Sequence, residues 1–154
     1  MSWNKEKINY ETYEKPSDFM TFKQGDNAIR IVSDGFITRK HQFRTGGRFV
    51  SMDCVGSNCD QCKAGVDTKI RYVWIILDKD ANKVKVLECG RTLGHDITIL
   101  GKREDIRTFD LIVTRRGADK TTTYKVKRGE GGILPPEEKQ LVMEYLPKLQ
   151  EQYL

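Results

Sequence analysis

No apolar run in this sequence approaches the ~18 to 20 residues that a membrane span requires, so it reads as a soluble chain with no membrane partner. There is no Gly-x4-Gly-Lys loop to cradle nucleotide phosphates, and no nucleophile stands beside an evident base. Histidine is scarce, with only two in 154 residues, and neither begins the His-x-Glu that zinc-dependent nucleobase deaminases use to shuttle protons: His41 is followed by Gln42-Phe43. The expectation is a protein that is not an enzyme. The chain opens Met-Ser-Trp-Asn-Lys without a signal peptide, which implies a reducing cytoplasm where disulfides are rare. Acidic residues are missing between positions 36 and 50, where every charge is Arg39, Lys40, Arg44 or Arg48.

Three of the four cysteines and one of the two histidines fall in one short window, His41-x12-Cys54-x4-Cys59-x2-Cys62. Zinc favours four soft or borderline ligands in a tetrahedron, and a Cys3His set without water makes a closed, structural site. Cys59-Asp60-Gln61-Cys62 supplies two thiolates from one tight turn, while His41 and Cys54 come from more distant chain. A disulfide with a leftover thiol conflicts with a reducing compartment. A redox Cys-x2-Cys would sit at a strand-to-helix junction, whereas this one follows the loop Val55-Gly56-Ser57-Asn58. His41 is the least constrained ligand, and His95 or Cys89 could replace it.

The net charge of +5 suggests a polyanionic partner once the cations are located. The first group follows the metal hairpin. A second holds Arg115, Arg116, Lys120, Lys125, Lys127 and Arg128. Cations that follow phosphates, interleaved with aromatic rings that stack on unpaired bases, suit single-stranded nucleic acid. The candidate contacts are Phe36, Arg39, Lys40, Phe43, Arg44, Arg48, Phe49, Tyr72, Trp74, Arg115, Arg116, Lys125 and Lys127. Tyr72 and Trp74 alternate with Val73, Ile75 and Leu77, so one strand face is expected in the core and the other is either core or a stacking platform.

Residues 1–24 read as an aromatic-containing arm with balanced charge. Residues 25–130 form the main domain, with a zinc subdomain at about 36–66, and 131–154 hold a C-terminal helix. Strands are expected at 28–32, 36–44, 48–52, 71–77, 83–89, 109–116 and 121–128. Glycines at 46–47 turn the first hairpin. A helix opens at Gly90 and ends at Gly101, and Gly129-Glu130-Gly131-Gly132 reads as a flexible break. Leu141, Val142, Tyr145, Leu146 and Leu149 make an apolar stripe on the last helix. The stripe packs on its own domain or docks a partner. Short strands, one helix among them and a final helix point to a mainly β fold, a small barrel of the oligonucleotide-binding (OB) type.

The ligand spacing resembles the zinc subdomain of the helix-destabilising single-stranded DNA-binding protein of T-even bacteriophages. Phe22-Lys23-Gln24-Gly25-Asp26-Asn27-Ala28-Ile29-Arg30-Ile31, Val84-Lys85-Val86-Leu87-Glu88, and Phe109-Asp110-Leu111-Ile112-Val113-Thr114-Arg115-Arg116-Gly117 with Thr123-Tyr124-Lys125-Val126 look like OB-fold proteins of phage replication more broadly. The resemblance spans residues 19–128. It implies a coat for unpaired DNA in replication, recombination or repair, a structural zinc, a host-cytoplasmic location, and replication partners such as polymerase, helicase or helicase loader. Two departures stand out. The loop between Cys54 and Cys59 is shorter than in the T-even protein, and the chain ends in a mixed-charge amphipathic helix with no acidic run. The rival expectation is a zinc-containing adaptor that docks a replication or transcription partner through that helix.

Overall fold

The computed structural model describes Lys7, Tyr10, residues 18–56 and residues 58–154. Most of the expected arm, including Trp3 and Tyr13, lies outside the described residues. From Asp18 onward it packs on the domain: Phe19 bridges Val86, and Phe22 is buried against Tyr124.

The elements run β1 (Gly25–Ile31), β2 (Phe36–Thr45), β3 (Arg48–Asp53), α1 (Asp60–Lys63), β4 (Thr68–Asp78), β5 (Lys83–Cys89), α2 (Arg91–Arg103), β6 (Phe109–Arg116), β7 (Thr123–Gly131) and α3 (Pro136–Tyr153). Seven strands form one antiparallel sheet in the order β3-β2-β4-β1-β6-β7, with β5 also on β4. Ile76 of β4 pairs with Ile31 on one side and with Lys85 on the other, so β5 takes the edge opposite β1. β1 and β2 share their edge of β4 in succession. Phe36 to His41 pairs with its first half, and Ile29 to Ile31 with its last residues.

Between those two segments the chain breaks pairing, yet Ile75 opposite the break is fully buried. A buried backbone N–H must find an acceptor. Ser33 Oγ accepts from Ile75 N–H at 2.9 Å, and Val32 N–H donates to Ile75 C=O at 3.0 Å. Gly35 completes the break by closeness. A Cβ there would stand 2.3 Å from the Trp74 indole nitrogen, so only glycine lets the backbone lie on that ring.

The sheet is not closed into the expected barrel. α2, which carries the chain from β5 to β6, packs against β4 and β7, and a cavity separates the end of β5 from the start of β7. Two further expectations change. Gly101 lies inside α2 rather than ending it, because Lys102 and Arg103 extend the helix where its negative end favours cations. Gly129 and Gly131 belong to β7 rather than to a break. There β6 and β7 shift register around Asp110, and a Cβ on Gly129 would be only 3.2 Å from the Asp110 carbonyl.

Both faces of the sheet centre are covered. Ile29, Ile31, Trp74, Ile76, Leu87, Leu111 and Val113 meet Leu93 and Ile97 of α2 on one face. On the other, Val73, Ile75, Leu77, Val84 and Val86 meet Leu149 of α3, with Leu141, Val142 and Leu146 beside them. The apolar stripe of the last helix is thus used within the chain. A charged network joins β1, the turn after β4, β6 and α3, with Arg30 2.8 Å and Lys79 2.9 Å from Asp110, and Lys79 3.5 Å from Glu138.

Leu149 is the one buried residue of α3 among the described residues. Leu149→Ala is expected to destabilise the protein by about 2 to 4 kcal/mol, while Met143→Ala on the exposed side of α3 should change stability by less than about 0.5 kcal/mol. Urea denaturation of both variants is the check, and equal effects would mean that α3 does not hold the sheet.

Candidate metal centre and its basic surroundings

His41 stands in the middle of β2, paired with Met52 of β3 and Thr68 of β4, and has no exposed surface. A histidine so enclosed needs partners for both ring nitrogens. Nδ1 lies 3.1 Å from the Asp67 carbonyl, an oxygen that can only accept, so Nδ1 carries the proton. Nε2 is left with its lone pair turned outward, 3.3 Å from both Cys59 Sγ and Cys62 Sγ. A backbone carbonyl on the far nitrogen is the usual way a ligand histidine is fixed and made more basic.

The cysteines reach the same point from the excursion between β3 and β4. Cys54 follows β3, its N–H held by the Arg39 carbonyl at 2.8 Å. Cys59 precedes α1, and Cys62 lies within it. Cys54 Sγ is 3.5 Å from Cys62 Sγ, and the four ligand atoms all fall within 4.8 Å of one another. A disulfide requires about 2.05 Å, so the thiols are free. Bond lengths of about 2.0–2.3 Å in a tetrahedron set ligand atoms about 3.5–3.8 Å apart. The group therefore could bind one metal ion.

Local electrostatics separate the thiols. The Cys62 and Val55 N–H groups hold the Cys59 thiol down at about 6, against burial, with Gln61 N–H adding to them. Gly56 N–H, then Cys62 and His41, lower Cys54. Cys62 is pushed up to about 11 by Cys54, by burial and by Cys59, because further negative charge in this cluster is unfavourable. For His41, burial opposes protonation, but Cys54, the Asp67 carbonyl and Cys59 together raise its pKa. A divalent cation is the natural counter-charge for such a set.

The possible substitutes lie elsewhere. Cys89 is in the core beneath α2, where burial pushes its thiol up to about 12. His95 is on the exposed side of α2. The Asp67 carbonyl is a site group that sequence reading missed, because a backbone acceptor carries no residue signature.

The other candidate residues divide by strand face. Arg39, His41 and Phe43 share one face of β2 with Tyr72 and Trp74 of β4, while Phe36, Lys40 and Arg44 are on the opposite face. Arg39, Arg44, Arg48 and Phe49 are exposed, and Phe49 keeps 61% of its surface. Lys40 is held by Glu88 at 2.8 Å, a partner 48 residues away in sequence. Tyr72 is half-buried and stacks on Trp74 with ring centres 6.0 Å apart. Trp74 retains 6% exposure and belongs to the core. Arg115 donates to the Phe22 carbonyl at 2.7 Å. Arg116, Lys125 and Lys127 are exposed on the β6–β7 hairpin, at the other end of the pairing order from β3. The two basic groups are thus not neighbours along the sheet.

No protein-family model matches the sequence, and no curated protein matches it. Among the described residues, no helix is long and apolar enough to cross a membrane.

Metal uptake should release protons, since Cys62, with its pKa near 11, holds its proton at neutral pH and must lose it to bind. At pH 7, titration of metal-free protein with Co2+ in weak buffer with an indicator dye is expected to release at least one proton per ion. It should also give the absorption of a tetrahedral thiolate site, and affinity should rise with pH through neutrality. Pale octahedral spectra without proton release would remove the cluster as a metal centre.

Proposed function

We propose that this protein binds single-stranded DNA largely without regard to sequence, on a surface held in shape by a structural zinc ion. The observation that carries the reading is the β2–β3 hairpin: acid-free from residue 36 to 50, pinned at its base by the His41 and Cys54 ligands, and presenting exposed Arg39, Arg44, Arg48 and Phe49. Flexible basic side chains neutralise phosphates and release counterions, and an exposed ring stacks on any base. The gain requires a fixed surface. A Cys3His donor set favours zinc, and four protein ligands leave no open position for chemistry, which supports a structural rather than catalytic ion.

The fold supports an OB-type reading as well. β1 and β2 together act as one bent first strand, followed by β4, β5, α2, β6 and β7 in the paired set β5-β4-β1-β6-β7. An OB fold is a five-stranded, partly open barrel that binds oligonucleotides on its second and third strands and on the loop between its first and second. On this mapping the hairpin and metal excursion fill that loop. α3 covers β5 and the last half of β4, which confines the strand's path to the hairpin and the first half of β4. There Phe36 and Ile37, the latter 61% exposed, border an apolar recess of about 430 Å³ reached by Tyr72. The likeness to phage replication proteins belongs to the same proposal, as do replication, recombination or repair as its setting. A partner-docking adaptor would have to use Met143 and Tyr145, since the rest of the α3 stripe is occupied.

Fluorescence anisotropy of labelled oligothymidylate is the test, against duplex of equal length at two salt concentrations. Strong single-strand binding, weak duplex binding and a steep salt dependence are expected. Arg44→Ala with Arg48→Ala should shallow the logarithmic salt slope by about 2, and Phe49→Ala should cost about 1 to 3 kcal/mol. Removing zinc should lower both the melting temperature and the affinity. Equal binding of single strand and duplex, or variants indistinguishable from the parent chain, would refute the proposal.

A further inference from the structure

A cavity of about 880 Å³ lies where the sheet fails to close, between the end of β5, the start of α2 and the start of β7. Its size falls within the range of small-molecule sites. Three arginines, from three separate elements, line it: Arg71 of β4, Arg91 of α2 and Arg115 of β6. The one carboxylate there, Glu88, is already engaged by Lys40 at 2.8 Å and by Arg71 at 3.6 Å. Nothing neutralises Arg91, which has no ion pair among the described residues. Arg115 spends one nitrogen on the Phe22 carbonyl, and its buried Nε has no partner among the described residues. An exposed guanidinium with no acidic partner among the described residues, as at Arg91, is free to pair with an anion that enters the recess.

The cavity's other walls have a different character. Phe22 and Tyr124, 5.7 Å apart, give it an aromatic side, and Thr92 and Thr123 add hydroxyls. α2 opens onto it with Gly90 at its N-cap, no side-chain cap and no acidic residue in its first turn, so the helix's free N–H groups are uncompensated. Gly90 also leaves room for Arg71, whose guanidinium would stand 3.3 Å from a Cβ there. Cations and free amides on one side and aromatic rings on the other match a phosphate joined to a base.

We infer that this cavity is a nucleotide site, which takes a nucleoside phosphate with its phosphate toward Arg91 and Arg115 and its base toward Tyr124. It stands without the hairpin reading, since it shares no residue with the β2–β3 surface. The ligand could come as a free nucleotide or as the phosphorylated end of a strand.

The test uses the full, metal-loaded chain. Calorimetry compares thymidine 5′-monophosphate with thymidine, and anisotropy compares oligothymidylate bearing a 5′-phosphate with the same strand bearing a 5′-hydroxyl. Arg91→Glu is the variant, because Arg91 is exposed and holds no ion pair among the described residues, with Lys83→Glu as an equal charge change on an exposed residue elsewhere. The phosphate is expected to strengthen binding at least tenfold in one pair or both, and Arg91→Glu to abolish that gain while Lys83→Glu leaves it. A gain in the mononucleotide pair identifies a free-nucleotide site, and a gain in the strand pair alone identifies strand ends. No phosphate gain in either pair, or equal losses in the two variants, would overturn the inference. Binding of the hydroxyl strand reads the hairpin surface separately.

Discussion

A buried backbone group cannot be left unpaired, and the architecture follows from how this chain meets that requirement opposite Ile75. β4 is long enough to need two successive neighbours on one edge, and the join between them would orphan an amide in the centre of the sheet. Ser33 supplies the acceptor, and Gly35 lets the chain cross the Trp74 ring. With the join satisfied, β1 is free to continue to β6 while β2 leaves with β3. The hairpin that carries His41 is therefore a branch of the sheet rather than an appendage. It inherits the rigidity of β4, which has covered cores on both faces.

The charge distribution answers to the same branching. Glu88, on β5, faces the root of the hairpin and ties Lys40 and Arg71 to it. Farther out, neither Arg44 nor Arg48 has an ion pair among the described residues, so the field there is left to any anion that approaches. At the root of α3 the opposite arrangement holds, with Asp110 shared between Arg30 and Lys79 in a nearly dry setting. One set of cations is spent on structure and the other remains available.

Much of this was legible in the sequence, for reasons that are local. The hairpin at Gly46 and Gly47 appears as two residues with positive φ, 56° and 75°, as tandem glycine in a two-residue loop requires. The strands at 83–89 and 109–116 were readable to the residue from their alternation. That His41, Cys54, Cys59 and Cys62 would converge came from spacing and donor chemistry alone. What escaped depends on partners distant in sequence. Trp74 reads equally well as platform or core until α2 is placed on it. The glycines at 129 and 131 look like a break until β6 is set beside them. Arg71, Arg91 and Arg115 share a cavity only because the sheet curls without closing.

Within the candidate ligand group, His41 alone belongs to a paired strand, and the three thiols come from the excursion between β3 and β4. A slip of β2 by one residue against β4 would turn every side chain of β2 to the opposite face and carry the imidazole away from the thiols. The misaligned chain would then hold three ligands instead of four. A metal ion held by all four groups would therefore favour the one alignment that also sets Arg44, Phe49 and their neighbours in place.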